Sequence, residues 1–151
     1  MSLKGLTLVW ERAWPLVGAA AIVWVWYALG HPFPTNPDSL FGTAATVSSI
    51  FASFLGVSKA IILTIKGTDT YKVLEQRGYT ELLFAYLRDG IFASVLFASG
   101  SILGFFVDHE VIVWKHHLFK LFELIWVFAG SLSLLTYIRI TNILFKLLKL
   151  T

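Results

Sequence analysis

Long apolar windows alternate with short polar connections along this chain. Windows with few or no charged residues predict membrane spans at about residues 13–30, 39–63, 88–107 and 118–139. A helix that crosses the hydrocarbon core of a bilayer needs about 20 mostly apolar residues. The pattern therefore predicts an all-α integral membrane protein, a bundle of four transmembrane helices in a single membrane domain over residues 1–151.

The polar connections set the predicted orientation. Residues 66–88 are a predicted hairpin, whose last part belongs to a helix predicted over Thr80–Val107. Residues 140–151 are a predicted amphipathic tail that extends the fourth helix. With the N-terminus in the cytoplasm, ten of the twelve lysines and arginines lie inside, while Lys115 and Lys120 lie outside. Cytoplasmic loops of membrane proteins carry the excess of basic residues. We therefore expect both termini, the hairpin and the tail in the cytoplasm.

The composition agrees with the predicted spans. Hydrophobic residues make up 57% of the chain and charged residues 14%, whereas a soluble domain is about half apolar and about a quarter charged. This excludes a water-soluble enzyme, a disordered regulator and a nucleic-acid-binding domain, and we expect no direct contact with nucleic acid. The chain has no cysteine and no recognisable catalytic or phosphate-binding motif. We therefore predict no enzyme activity and no cofactor.

The second span carries a stripe of small residues. They follow one another at steps of four and three, which places them on one helix face, and a lysine continues the series: Gly42, Thr46, Ser49, Ser53, Gly56 and Lys59. One interpretation is close packing of helices, which small residues permit in lipid. The other is a pore lining, with hydroxyl groups beside water and Lys59 at the inner mouth.

Small residues also recur in the third and fourth spans. Gly100 and Gly104 form a GxxxG motif near Ser101, and Gly130 lies in a seam with Trp126. Such positions predict close helix interfaces. Because three of the four helices carry small residues, the bundle has more close-packing surface than one protomer needs. The sequence therefore predicts a homo-oligomer in the lipid bilayer.

The predicted hairpin is a candidate docking surface for a cytosolic protein partner. It is neutral overall and combines aromatic with basic side chains, of which we select Tyr71, Lys72, Arg77, Tyr79 and Tyr86. Aromatic residues and arginine are enriched in protein interfaces. The alternative is ordinary anchoring of aromatic rings at the membrane surface.

The histidines are a weaker indication of a functional site than the stripe and the hairpin. On this topology His31, His109, His116 and His117 all fall outside, near several acids. They could form a metal site or a proton sensor, or they could be interfacial residues of short loops. Their spacing matches no recognised zinc pattern, so we predict no metal site.

A few polar or proline residues lie in or beside the spans. Lys120 and Glu123 are three residues apart on the fourth span and predict a local ion pair. Arg139, near the inner edge, is interpreted as an anchor whose charged end reaches the headgroups. Pro15 lies at the start of the first predicted span, where a helix tolerates proline.

The hairpin also carries a family resemblance. The run Tyr71–Tyr79 (YKVLEQRGY), followed by Leu82-Leu83 and Tyr86-Leu87, resembles small four-span membrane proteins of bacterial anti-phage defence operons, such as KwaA of the Kiwa system. The resemblance implies an oligomer of the bacterial inner membrane that senses infection and works with a cytosolic DNA-binding partner. It assigns no role to any single residue.

Three functions are compatible with these patterns. The first is a non-enzymatic sensor or scaffold that recruits a cytosolic effector partner. The second is an oligomeric ion channel or membrane-permeabilising pore lined by the second helix. The third is an ion or metal transporter that uses the outer histidines, although transporters usually show more charge within the membrane and broken helices.

Overall fold

Four long helices form most of the structure. The computed structural model describes residues 3–64, 79–107, 112–113 and 116–148. The helices are α1 (Leu3–Ala28), α2 (Asp38–Thr64), α3 (Tyr79–Gly104) and α4 (Leu118–Leu148). Two short antiparallel strands, β1 (Ile112–Val113) and β2 (His116–His117), precede α4 and are the one departure from the predicted all-α chain within the described residues.

Three of the helices are long and apolar enough to cross a membrane. They are Asp38–Thr64, Thr80–Gly104 and Phe119–Lys146. This confirms the predicted helical, membrane-type character of the chain. The assignment of α1 as a fourth span and the orientation of the termini remain predictions.

The helix bounds differ from the prediction at α1, whereas α3 and α4 include predicted helical extensions of their spans. Helix α1 begins at Leu3, ten residues before the predicted span, and therefore contains Pro15 in its interior. Helix α3 includes residues 79–88 of the predicted hairpin, while residues 66–78 lie outside the described part of the chain. Helix α4 continues to Leu148, as predicted for a tail that extends the fourth helix.

Helix α3 lies between α2 and α4, and α1 packs mainly against α4. Helices α2 and α3 are antiparallel. A Cβ added to Gly104, at the end of α3, would lie 2.8 Å from the ring of Phe41 near the start of α2. A Cβ added to Gly90 would lie 2.9 Å from Leu55 Cδ1. Both glycines therefore allow α2 and α3 to approach closely.

Two hydrogen bonds between side chains join α3 to α4. Trp126 Nε1 donates a hydrogen bond to Ser101 Oγ at 3.0 Å. Ser94 Oγ and Ser133 Oγ are hydrogen-bonded at 3.1 Å, and both residues are fully buried. Hydrogen bonds between membrane helices contribute about 0.6 kcal/mol each on average. The two bonds therefore fix the register of α3 against α4 more than they stabilise the bundle.

Two clusters of different chemistry occupy the two ends of the bundle. We name the first the aromatic cluster, whose rings contact one another in a chain of pairs: Phe33, Phe41, Phe97, Phe105, Phe119, Phe122 and Trp126. We name the second the aliphatic cluster, which is buried near the C-terminal half of α2: Leu55, Ile62, Leu83, Tyr86, Leu87 and Ile140. Both clusters join α2, α3 and α4.

Candidate functional site

The small-residue stripe lies on the face of α2 that points away from the bundle. The side chains that α2 buries against its neighbours are Phe41, Ser48, Leu55, Ser58 and Ile62. At about 100° per residue, the stripe is centred roughly 140° around the helix from this buried face. The stripe is therefore not the surface that holds α2 in its own protomer.

Exposure of the stripe agrees with this direction. Thr46, Ser49 and Ser53 are exposed. A Cβ added to Gly56 would meet no described atom within 4 Å, and one added to Gly42 would be in ordinary contact with Phe105 at 3.8 Å. Close packing inside one chain therefore does not explain the stripe. Packing against another chain and a pore lining both remain as interpretations.

The hydroxyl groups of this face are partly satisfied by their own helix. Thr46 Oγ1 donates to the carbonyl of Gly42 at 2.9 Å, and Ser49 Oγ donates to the carbonyl of Ala45 at 2.7 Å. Such bonds to the preceding turn let serine and threonine lie in an apolar medium without a free donor. Their oxygen atoms keep further acceptor capacity, which a neighbouring helix or water can use.

An open, shallow groove runs along the same face. Its walls come from one helix and combine small, hydroxyl-bearing and apolar residues: Ala45, Thr46, Ser49, Ile50, Ser53, Phe54 and Val57. Ile50 and Val57 are among the exposed large apolar residues of the chain. They form ridges beside the small residues, which is the shape that a second helix can fill. Lys59 is exposed near the end of the stripe.

The outward face of α1 has the opposite composition. Trp10, Val17, Trp24 and Tyr27 are exposed, with Trp10 at 66% and Trp24 at 72%. Trp10 and Trp24 are separated by roughly 21 Å along the helix at 1.5 Å per residue. Tryptophan and tyrosine are enriched where a span meets the two membrane surfaces. Large apolar and aromatic side chains of this kind suit lipid contact.

The three predicted interface glycines have different surroundings. Gly104 approaches the Phe41 ring, and Gly130 approaches Phe97, where an added Cβ would lie 2.7 Å from the ring. Gly100 has open space around it, with no described atom within 4 Å of an added Cβ. Gly104 and Gly130 therefore lie at helix contacts inside the protomer, and Gly100 lies on an open surface of α3.

The predicted docking residues lie partly outside the described part of the chain. Tyr71, Lys72 and Arg77 lie outside the described residues, and Tyr79 is described only as the first residue of α3. The structure corrects the prediction for Tyr86, whose side chain is 3% exposed and belongs to the aliphatic cluster. Because Tyr86 lies inside a continuous helix and faces the core, its ring is not available to a cytosolic partner.

Arg139 also differs from its prediction. It is 6% exposed and so does not extend toward headgroups. Its guanidinium carbon lies 4.2 Å from the centroid of the Tyr86 ring, and its Nη1 donates a long hydrogen bond of 3.4 Å to the carbonyl of Arg12. The contacts with α1 and α3 hold the side chain inward. A charged residue in an apolar window was the available sequence signal, but it did not identify these partners.

The outer polar residues show no metal centre in the described part of the chain. No group of three histidine or acidic side chains there could hold a metal ion. His31 lies in the turn after α1, against the rings of Trp26 and Tyr27. Glu123 is buried and Lys120 is exposed, and their ion pair remains a prediction. His109 lies outside the described residues, as do the side chains of the other two histidines.

Comparison of the chain with protein-family models, with curated proteins and with solved structures finds no match. The outward face of α2 is therefore the candidate functional surface on its own geometry. Its small, hydroxyl-bearing side chains differ from the aromatic and aliphatic clusters of the core. They also differ from the large exposed side chains of α1.

Proposed function

We propose that this protein is a non-enzymatic, homo-oligomeric protein of the bacterial inner membrane that acts as a sensor and scaffold. Its copies meet through the outward face of α2, and its cytoplasmic side recruits a cytosolic effector partner. In this proposal α1 is the fourth span and both termini are cytoplasmic. The resemblance to proteins of anti-phage defence operons supports a role in defence.

The observation that carries this proposal is the outward small-residue stripe of α2. Helices in lipid associate through close packing of small residues and through hydrogen bonds between helices. The stripe offers small residues, and a Cβ added to Gly56 would meet no described atom of the other helices within 4 Å. A second copy of the chain lies in the same membrane with the same orientation, so it can present the same face at the same depth.

The aliphatic cluster supports recruitment at the cytoplasmic side. It packs Ile62, near the end of α2, with Leu83, in the first turns of α3. The two helix ends that flank residues 65–78 are thus fixed to one core. A docking segment anchored at both ends loses less conformational freedom on binding than a free tail does.

One experiment tests assembly and recruitment together. The chain has no cysteine, so Ser53→Cys introduces a single thiol on the stripe and Val17→Cys introduces one on the outward face of α1. On mild oxidation in bacterial membranes, we expect disulfide-linked dimers from the first variant and not from the second. The dimers should co-purify with a cytosolic protein, and adding Tyr71→Ala should remove that protein while dimers persist.

Two results would contradict the proposal. Equal cross-linking at both positions would show that the α2 face has no special contact. Cross-linking with unchanged co-purification in Tyr71→Ala and Tyr79→Ala would remove the hairpin as the docking surface.

A pore lined by α2 is the second candidate function. It is favoured by the exposure of three hydroxyl-bearing residues, Thr46, Ser49 and Ser53, on one face. If these residues line a water path, Ser49→Leu should reduce ion flux through purified protein in liposomes, because a bulky apolar side chain dewets a narrow pore. Val17→Leu on α1 is the matched control and should leave flux unchanged. Equal flux in all three proteins would remove the stripe from the path.

A further inference from the structure

A buried arginine connects α1, near a buried proline, to a tyrosine at the aliphatic end of the bundle. We name this group the Arg139 junction; it consists of Arg12 and Pro15 on α1, Tyr86 on α3 and Arg139 on α4. The predicted functions use none of these contacts. The junction links the three helices at one point.

Pro15 interrupts the hydrogen bonding of α1. It is fully buried and lies in the helix interior, twelve residues after Leu3. Proline has no N–H, so the carbonyl of Glu11 lacks its usual helical donor, and the ring crowds the preceding turn. Such a position is a common site of helix bending. The segment before Pro15 is therefore less firmly coupled to the rest of α1 than a continuous helix would be.

Arg139 supplies contacts in the turn that the proline weakens. Its Nη1 bonds the carbonyl of Arg12 at 3.4 Å, three residues before Pro15. Its guanidinium plane also lies over the Tyr86 ring, at 4.2 Å from the centroid. One planar cation with several donors can make both contacts at once. Because a charged residue inside a membrane bundle is costly to retain, it marks a functional position by default.

We infer that Arg139 is a positioning residue that locks the segment of α1 before Pro15 against α3 and α4, and that Pro15 is the hinge of that segment when the lock opens. Tyr86 lies seven residues after Tyr79 on α3, so opening of the lock would change the packing at the base of the predicted hairpin. This consequence for recruitment rests on the proposed scaffold function, whereas the hinge itself does not.

Distances between paired spin labels test the hinge. Because the chain lacks cysteine, Trp10→Cys on α1 and Phe145→Cys on α4 can carry labels at two exposed positions at the junction end of the bundle. Val25→Cys and Leu121→Cys form the control pair at the other end of α1 and α4. In liposomes, we expect Arg139→Met to broaden the first distance distribution and to add a longer-distance population. The control pair should remain unchanged.

Two further variants separate a hinge from a general loss of packing. Tyr86→Phe keeps an aromatic ring under the cation and should retain the narrow distribution, whereas Tyr86→Leu should broaden it. Adding Pro15→Ala to Arg139→Met restores the missing N–H, so the distribution should narrow again. This rescue is not expected if Arg139 only fills space.

Three results would overturn the inference: unchanged distances in Arg139→Met, equal broadening of both label pairs, or no rescue by Pro15→Ala. Co-purification of the cytosolic partner is measured on the same variants. A partner lost without any change in distance contradicts the lock and leaves the scaffold proposal intact. Distances that change while the partner stays bound support the lock and contradict its link to recruitment.

Discussion

The outward faces of α1 and α2 are both exposed in the single protomer, yet they are built from different residues. The face of α1 presents Trp10, Trp24 and Tyr27, while the face of α2 presents Thr46, Ser49 and Ser53. Large rings of this kind are favoured at membrane surfaces, and small hydroxyl-bearing residues are favoured where helices meet. Exposure alone therefore does not identify a functional surface in a membrane-type helix. The chemistry of the exposed side chains distinguishes lipid contact from contact with protein or water.

The same distinction between packed and open surfaces can be tested on α3, where leucine replaces a packed glycine in one variant and an open glycine in another. Gly104→Leu places a side chain where even a Cβ would lie 2.8 Å from the Phe41 ring. Phe41 is fully buried among other rings and cannot withdraw. We expect the free energy of unfolding to fall by about 1–3 kcal/mol, the usual cost of overpacking. Denaturant unfolding in detergent, under conditions that separate the protomers, measures this change.

Gly100→Leu is the matched control for that substitution. Gly100 lies four residues earlier on α3 and has open space around it, so leucine should leave protomer stability unchanged or slightly raise it through better helix propensity. An equal loss of stability in both variants would show that the contact between Gly104 and Phe41 is not tight.

The sequence predicted the helices better than it predicted their faces. The predicted second span, residues 39–63, agrees closely with α2. Pro37 and the polar residues before it mark the start of the apolar window clearly. The stripe was also recognised, since periodicity shows which residues share a helix face. Periodicity does not show whether that face points inward, because this depends on which neighbours α2 contacts.

The same limit explains the residues that the sequence misplaced. Charges at Glu11 and Arg12 limit the first apolar window, so the sequence predicts that Pro15 lies near a helix start, although α1 begins at Leu3. Tyr86 lies near Arg88 and Asp89, and this polar surrounding favours an exposed tyrosine. The helix predicted from Thr80 is present in the structure, but it turns Tyr86 toward the core. Local polarity could not reveal a contact between Tyr86 and Arg139 across two helices.

A smaller effect than that of Gly104 is expected at Gly56, and it tests the α2 face directly. Because an added Cβ meets no described neighbour, Gly56→Leu should leave the stability of the isolated protomer unchanged. In the assembly it would separate two α2 helices, and the loss of close packing in lipid should weaken association. Each loss of about 1.4 kcal/mol corresponds to tenfold weaker association. The yield of Ser53→Cys dimers after oxidation, measured against dilution in lipid, gives the association strength.

Ala20→Leu on α1 provides the control for Gly56→Leu, because Ala20 is also small and exposed but lies on the helix whose outward face suits lipid. Its dimer yield should equal that of the unsubstituted chain. If Ala20→Leu weakened association as much as Gly56→Leu, both outer helices would take part in the contact between copies. The two faces would then differ in composition without differing in use. If neither variant weakened association, contact between copies would not explain the small residues of α2. A pore, in which these residues contact water, would then be the better explanation of the stripe.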